Sequence, residues 1–109
     1  MNISYEDFAK LEIKIGTITS VEIVEGADKL LKLTVDVGEE TSRQIVSGIR
    51  LYFDNPEELV GKQCPFLVNL EPRTIRGLES QGMILACGSD ETFSLIHPGI
   101  VVPSGTLIK

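Results

Sequence analysis

Apolar and polar residues alternate with a period of two through most of the chain, which predicts strands and not long helices. Ile13, Ile15, Val21 and Ile23 share one parity, with Thr17 and Thr19 among them. β-Branched residues at this density predict one long strand from Glu12, and Gly16 inside it predicts a bend or bulge. Val24 to Lys29 is a break, and the cleanest alternation follows. Leu31, Leu33, Val35 and Val37 face one way; Lys32, Thr34 and Asp36 face the other. This is a second strand with one face on a core and one toward water. Gly38-Glu39-Glu40 turns it into a third, Arg43 to Ile49, as a hairpin. Asp54 to Leu59 has the order of a helix start: a capping side chain, Pro56, then two carboxylates favoured by the helix dipole. Gly61 ends it after little more than a turn. A fourth strand runs Lys62 to Leu70, with Cys64, Phe66, Val68 and Leu70 on one parity and Pro65 predicting an edge or bulge. Met83 to Cys87 is a short, continuously apolar fifth. At the front, Ser4 with Asp7 three residues on predicts a capped helix carrying Phe8 and Leu11 on its apolar side. From Gly88 onward, short apolar pieces separated by Pro98, Gly99, Pro103 and Gly105 predict two or three brief strands with turns.

Five strands with a small helix between the third and fourth make an all-β chain with the arrangement of the OB barrel. In that fold, ligands lie across the strand 2–3 face and are gripped by the loops after strands 1 and 4. Here those loops are Glu25–Lys29 and Glu71–Gln81. The second lies within NLEPRTIRGLESQGMILA, Asn69 to Ala86, where Arg73 and Arg76 share a connection with Pro72, Gly77, Ser80, Gln81 and Gly82. A rigid scaffold uses loops of this composition for contacts; a solvated loop with idle arginines fits the composition equally well. Lys32 shares the outer strand face with this loop, and a solvated strand lysine has the same pattern.

The remaining chemistry narrows the class. At 109 residues the chain is a single domain. A mean hydropathy of +0.14 in so small a domain suggests apolar surface covered by a partner subunit. The net charge is −6, which opposes generic nucleic-acid binding. Residues 1–70 hold twelve acidic and seven basic residues, a balance of −5, and residues 71–109 hold four and three, a balance of −1. Any anion site is therefore small and local. No apolar run reaches the ~18 residues of a membrane span, and the start MNISYEDFAK is no signal segment, so a cytoplasmic protein is expected. Cys64 and Cys87 fall in apolar runs without C-x-x-C spacing and are expected to be buried free thiols, not a disulfide or a metal site. The one histidine, His97, precedes Pro98 in a turn-rich segment. No nucleophile has a base to activate it, and no acid pair, metal cage, phosphate loop or dinucleotide fingerprint is present, so neither an enzyme nor a cofactor is expected. Tyr52 and Phe53 alone sit where a base could stack, with packing under the short helix the competing use.

Taken together, DFAKLEIKIG, EGADKLLKLTVDVG, IVSGI, PEELVGK and NLEPRTIRGLESQGMILA resemble one family from about residue 6 to 108. It is the tRNA-binding domain found as a free structure-specific tRNA-binding protein and as the C-terminal domain, or beta subunit, of methionyl-tRNA synthetases. The resemblance implies an OB fold over about 12–87, with 88–109 as an extension through which two copies form a homodimer. It implies binding of tRNA at its outer corner by shape, with a methionyl-tRNA synthetase as a further partner. Because the chain runs from Met1 to Lys109, a free-standing module is expected. Carried over by motif, Asn69, Arg73, Arg76, Ser80 and Met83 face tRNA or shape its site, with Lys32 and Ser47 as weaker candidates. Arginines meet phosphates with forked donors, Asn69 and Ser80 can reach phosphate or 2′-hydroxyl oxygens, and Met83 offers an adaptable apolar contact. Many relatives have His-Pro where this chain has Glu25-Gly26, which marks a subfamily. The alternative within the same fold is a dimeric peptide-binding chaperone.

Overall fold

The computed structural model describes residues 1–109. Helix α1, Tyr5–Ala9, carries the expected capping box: Ser4 Oγ accepts from the Asp7 N–H, and the Asp7 carboxylate accepts from the Ser4 N–H. Strand β1, Ile13–Ile23, is the long one. β2 is Leu31–Asp36, β3 is Arg43–Ser47, and β4 is Gln63–Leu67. Five strands join in the order β3-β2-β1-β4-β7, where β7 is Met83–Ile84. The sheet curls around a core that includes Ile18, Leu31, Leu33, Val35, Ile45, Leu59 and Phe66, all fully buried. This is an OB-like barrel, as the strand order predicts.

Three local expectations are corrected. The bulge in β1 lies between Ile18 and Ser20, not at Gly16. The extra residue, Thr19, reverses the parity, so Gly16 and Ile18 face the core before it and Val21 after it, while Ile23 is exposed. Gly16 serves the packing instead. A Cβ there would lie 2.6 Å from Val35 Cγ1 and 2.9 Å from Phe66 Cδ2, so the glycine lets two core side chains meet the strand backbone. Between β3 and β4 the chain makes two short 3-10 turns, Arg50–Tyr52 and Pro56–Leu59. The cap of the second is Asn55 without a side-chain hydrogen bond, so Asp54 does not cap it, and Leu59 plugs the core from below. Pro65 is not on an edge: β4 lies between β1 and β7. Opposite Pro65, the Ile15 N–H and C=O turn away to Thr106 and Gly105, so no donor is missed on that side. On the other side Pro65 only accepts, from the Leu85 N–H. There the expected fifth strand splits into β7 and β8, Ala86–Cys87.

The C-terminal stretch divides into two parts. Residues 105–108 run beside β1, with Ile108 N–H to Ile13 O at 2.8 Å and Ile15 N–H to Thr106 O at 2.8 Å, and they cover Ile15. Upstream, β9 (Ser94–Leu95) pairs with β8, and Ile100 and Val101 remain 76% and 88% exposed. No helix is long and apolar enough to cross a membrane.

Candidate functional site

The connection from Leu70 to Gly82, read from sequence as a loop, is a hairpin. β5, Arg73–Ile75, pairs with β6, Leu78–Ser80, and Ile75 opposite Leu78 leaves a two-residue turn, Arg76-Gly77. Their φ angles are +53° and +80°, the signs of a type I′ turn, whose twist matches paired strands. Gly77 adopts this freely; Arg76 is the chain's one non-glycine residue with positive φ, a conformation that costs about 1–2 kcal/mol for a side-chain-bearing residue. The guanidinium is thereby presented at the tip of a stiff two-stranded arm. Arg73 and Arg76 are both exposed, and neither takes part in the three ion pairs of the chain, which are Lys10–Asp7, Lys32–Glu22 and Arg43–Glu39.

What holds the arm is the barrel's closing seam. β3 and β7 lie side by side without a backbone ladder, and side chains of the hairpin base and of β3, with one backbone bond, join them. The Val46 N–H donates to Ser80 Oγ at 3.0 Å, and that hydroxyl donates to the Gly82 carbonyl at 3.0 Å. The Gln44 N–H donates to Gln81 Oε1 at 2.9 Å, Gln44 Nε2 donates to the Glu79 carbonyl at 2.9 Å, and the Gln81 N–H donates to the Gln44 carbonyl at 2.8 Å. Arg43 completes the joint: Nη1 reaches the Val68 and Gln81 carbonyls while Nε and Nη2 fork onto the Glu39 carboxylate. The Arg43 hydrogen bond holds the Glu39 carboxyl below its ordinary range, and the Glu39 hydrogen bond raises the Arg43 guanidinium. Sequence reasoning missed Arg43 and Gln44. No period or motif marks them, because their partners across the seam lie 25 to 38 residues away.

The sequence-predicted residues fall into separate roles. Ser80, 4% exposed, fastens the hairpin as above. Asn69 Oδ1 accepts from the Glu12 N–H at 2.9 Å and Nδ2 donates to the Lys10 carbonyl at 2.7 Å, so it ties the end of β4 to the start of β1. Met83 is exposed on β7 beside Leu67. Lys32 and Ser47 stand on adjacent strands, with Lys32 opposite Val46 and Ser47 opposite Leu31, and the Lys32 ammonium lies 2.9 Å from Glu22. Between the hairpin tip and the β1–β2 loop lies an open cleft of about 570 Å³, lined by Gly26 to Leu30 together with Ile75 and Arg76. The two loops expected to grip a ligand thus do share one cleft.

Elsewhere the chemistry is quiet. Burial pushes the Cys64 thiol up to about 11. Cys87, expected to be buried, is exposed on β8, with Sγ 3.6 Å from the Ser94 carbonyl. His97 Nδ1 donates to the Gln63 carbonyl at 2.7 Å. No three His, Cys, Asp or Glu side chains gather where they could hold a metal.

A small barrel with an exposed, fastened hairpin beside its first loop defines an OB-like binding module. The profile described as "Putative tRNA binding domain" matches residues 13–107, and the chain belongs to that family, a non-catalytic RNA-binding module. The methionine–tRNA ligase of Methanospirillum hungatei is 55% identical over 107 residues, and that of Deinococcus radiodurans 48% identical over 108. Each match takes in 98% of this chain but 16% of the ligase, so the chain spans about one sixth of these relatives' length. Among solved structures, a MetRS-related protein from Pyrococcus horikoshii has a TM-score of 0.91 at 36% identity, covering 100% of this chain and 99% of that one. The chaperone CsaA of Bacillus anthracis has a TM-score of 0.88 at 30% identity, each chain covered in full.

Proposed function

We propose that the chain binds folded tRNA by shape, at the outer corner of the L, through the Arg73–Arg76 hairpin and the adjoining β1–β2 loop. The observation that carries this is the unpaired state of Arg73 and Arg76, on an arm held rigid at its base. Both guanidinium groups keep their forked donors for phosphate oxygens. Asn69 and Ser80 act by shaping the site, Met83 by apolar contact, and Lys32 and Ser47 by lying on the neighbouring face. Two copies pair through the exposed apolar surface at Ile100 and Val101, and so present two weak sites to one polyanion. Similarity to methionine–tRNA ligases supports action in cis or in trans with such an enzyme, in the cytoplasm.

The test is binding of folded tRNA against an unstructured RNA of equal length over a salt series. Preference for tRNA is expected, with log K falling by about 0.7–0.9 per phosphate contact. Arg73→Ala and Arg76→Ala should each weaken binding while leaving the dimer intact. Full binding by the double variant overturns the site. Equal, feeble binding of both RNAs by the native chain favours the peptide-chaperone reading.

A further inference from the structure

The tRNA reading uses the arginine arm and leaves the aromatic cluster on the far side of the β1–β2 loop unexplained. Phe93 lies flat on Tyr52, centroids 3.9 Å apart and planes 10° from parallel, and Phe53 meets Phe93 edge-on at 6.0 Å. The Tyr52 hydroxyl donates to Asp90 Oδ1 at 2.9 Å, a bond that raises the phenol's pKa above its ordinary value. Stacking on one face and a hydrogen bond at the tip hold the ring in one plane. Yet Tyr52 is 39% exposed. A packing aromatic of this kind is ordinarily covered; this one is braced and left open.

The open side faces a defined space. Tyr52 lines a groove of about 420 Å³ with Lys29, Gly48, Leu51 and Asp90, from which Phe93 is absent. Lys29 also lines the Arg76 cleft, so the two grooves meet at that residue. Lys29 has no ion pair. Gly48 is exposed in this groove and adds no side chain to it. From hairpin tip to aromatic ring the path therefore offers a guanidinium, an ammonium, and then a π-face beside a carboxylate. Cations followed by a π-face suit the phosphates and one base of a single RNA strand.

We propose that the Tyr52 groove is a second subsite, which takes one unpaired nucleotide of the RNA bound at the arginine hairpin. This rests on the RNA-binding reading above. The base stacks on Tyr52, its 5′ phosphate lies against Lys29, and the Asp90 carboxylate accepts from a base amino group or a 2′-hydroxyl. An acceptor at this place favours bases with an exocyclic amine over uracil. Stacking tolerates any base, because each has a π-face.

The chain contains no tryptophan, which makes the test direct. Tyr52→Trp introduces a single indole at the groove, whose emission is quenched by a stacked base. The variant is titrated with folded tRNA while complex formation is followed separately by gel mobility, and Tyr52→Leu and Tyr52→Phe are measured in parallel. The expected result is quenching that saturates together with the complex. Tyr52→Leu should lose about 5- to 150-fold in affinity, the range for removal of one base–aromatic stack, and Tyr52→Phe, which keeps the stack, should stay within about threefold of the native chain. A complex that forms without quenching, or a folded Tyr52→Leu that binds as the native chain does, overturns the subsite and leaves the hairpin reading standing. Absence of any complex with the native chain overturns both. Should Tyr52→Leu fail to fold, the indole quench and Lys29→Gln, expected to lose affinity with a shallower salt slope, decide the matter alone.

Discussion

Ser80→Ala should loosen the barrel at its seam, and the structure sets the size of the effect. Its hydroxyl is the acceptor for the Val46 N–H, which lies on a residue 5% exposed. Alanine leaves that donor buried and unpaired, a loss of about 1–3 kcal/mol. The Gly82 carbonyl loses a donor too, but a carbonyl tolerates under-satisfaction better than an N–H. For a domain of 109 residues, each kcal/mol moves Tm by about 4–6 °C, so a fall of about 4–18 °C is expected. Thermal unfolding followed by circular dichroism measures it, with the urea midpoint as a second readout at constant slope. Ser47→Ala, half-buried on β3 next to Val46, is the control and should stay within about 0.5 kcal/mol. At 25 °C the Ser80→Ala chain remains folded, so any drop in tRNA affinity there reports displacement of the arm. A Tm change no larger than that of Ser47→Ala would refute the reasoning: water or a relaxed hairpin would then satisfy Val46, and the seam would not depend on Ser80.

Three further outcomes follow from the geometry. Gly16→Ala places a Cβ 2.6 Å from Val35 Cγ1 and should destabilise the fold by about 1–3 kcal/mol through overpacking, read as a lower Tm; an unchanged Tm would show that Val35 and Phe66 can withdraw. Because the Glu39 carboxyl is held below its ordinary value of 4.5 by Arg43, its stabilisation is complete above that value and is lost as the pH falls through the lower folded-state value. The Tm gap between the native chain and Glu39→Gln should accordingly be constant above pH 4.5 and close below it, whereas a gap that persists into strong acid would mean the pair contributes only packing. The pairing proposed at Ile100 and Val101 predicts a native mass of two chains by sedimentation, halved on replacing both by Asp with circular dichroism unchanged; an unchanged mass in the variant would overturn that pairing.

The sequence was legible where side chains repeat along one strand and obscure where they act between strands. Leu31, Leu33, Val35 and Val37 read correctly because burial follows parity directly. In β1 one parity could not hold across Thr19, since a bulge leaves no mark in a run of β-branched residues. Glycine at 16 was noticed, but for backbone freedom, when the requirement is space for Val35 and Phe66. The two arginines and the loop that carries them were singled out from composition as a candidate site. Their hairpin was not, because its turn is Arg-Gly and not the usual Asn-Gly or Asp-Gly. Cys87 looked buried by its apolar neighbours, yet the strand it continues ends opposite Pro65 and leaves it outside.

Affinity for a polyanion in a chain of net charge −6 has to come from where the cations stand. Lys10, Lys32 and Arg43 are committed to carboxylates within the fold. Arg73, Arg76 and Lys29 are not, and Arg76 and Lys29 share the walls of one cleft. Elsewhere the acidic surface repels RNA over about a Debye length, ~8 Å at physiological ionic strength, which penalises loose, misplaced contacts more than one docked at the arm. A rigid hairpin then matters more than an additional lysine would. It carries both arginines on one two-stranded arm, so an RNA of matching shape can gain both contacts together, whereas a flexible strand must be ordered to do so. On the proposed reading, shape selectivity and weak overall binding are two consequences of the same charge distribution.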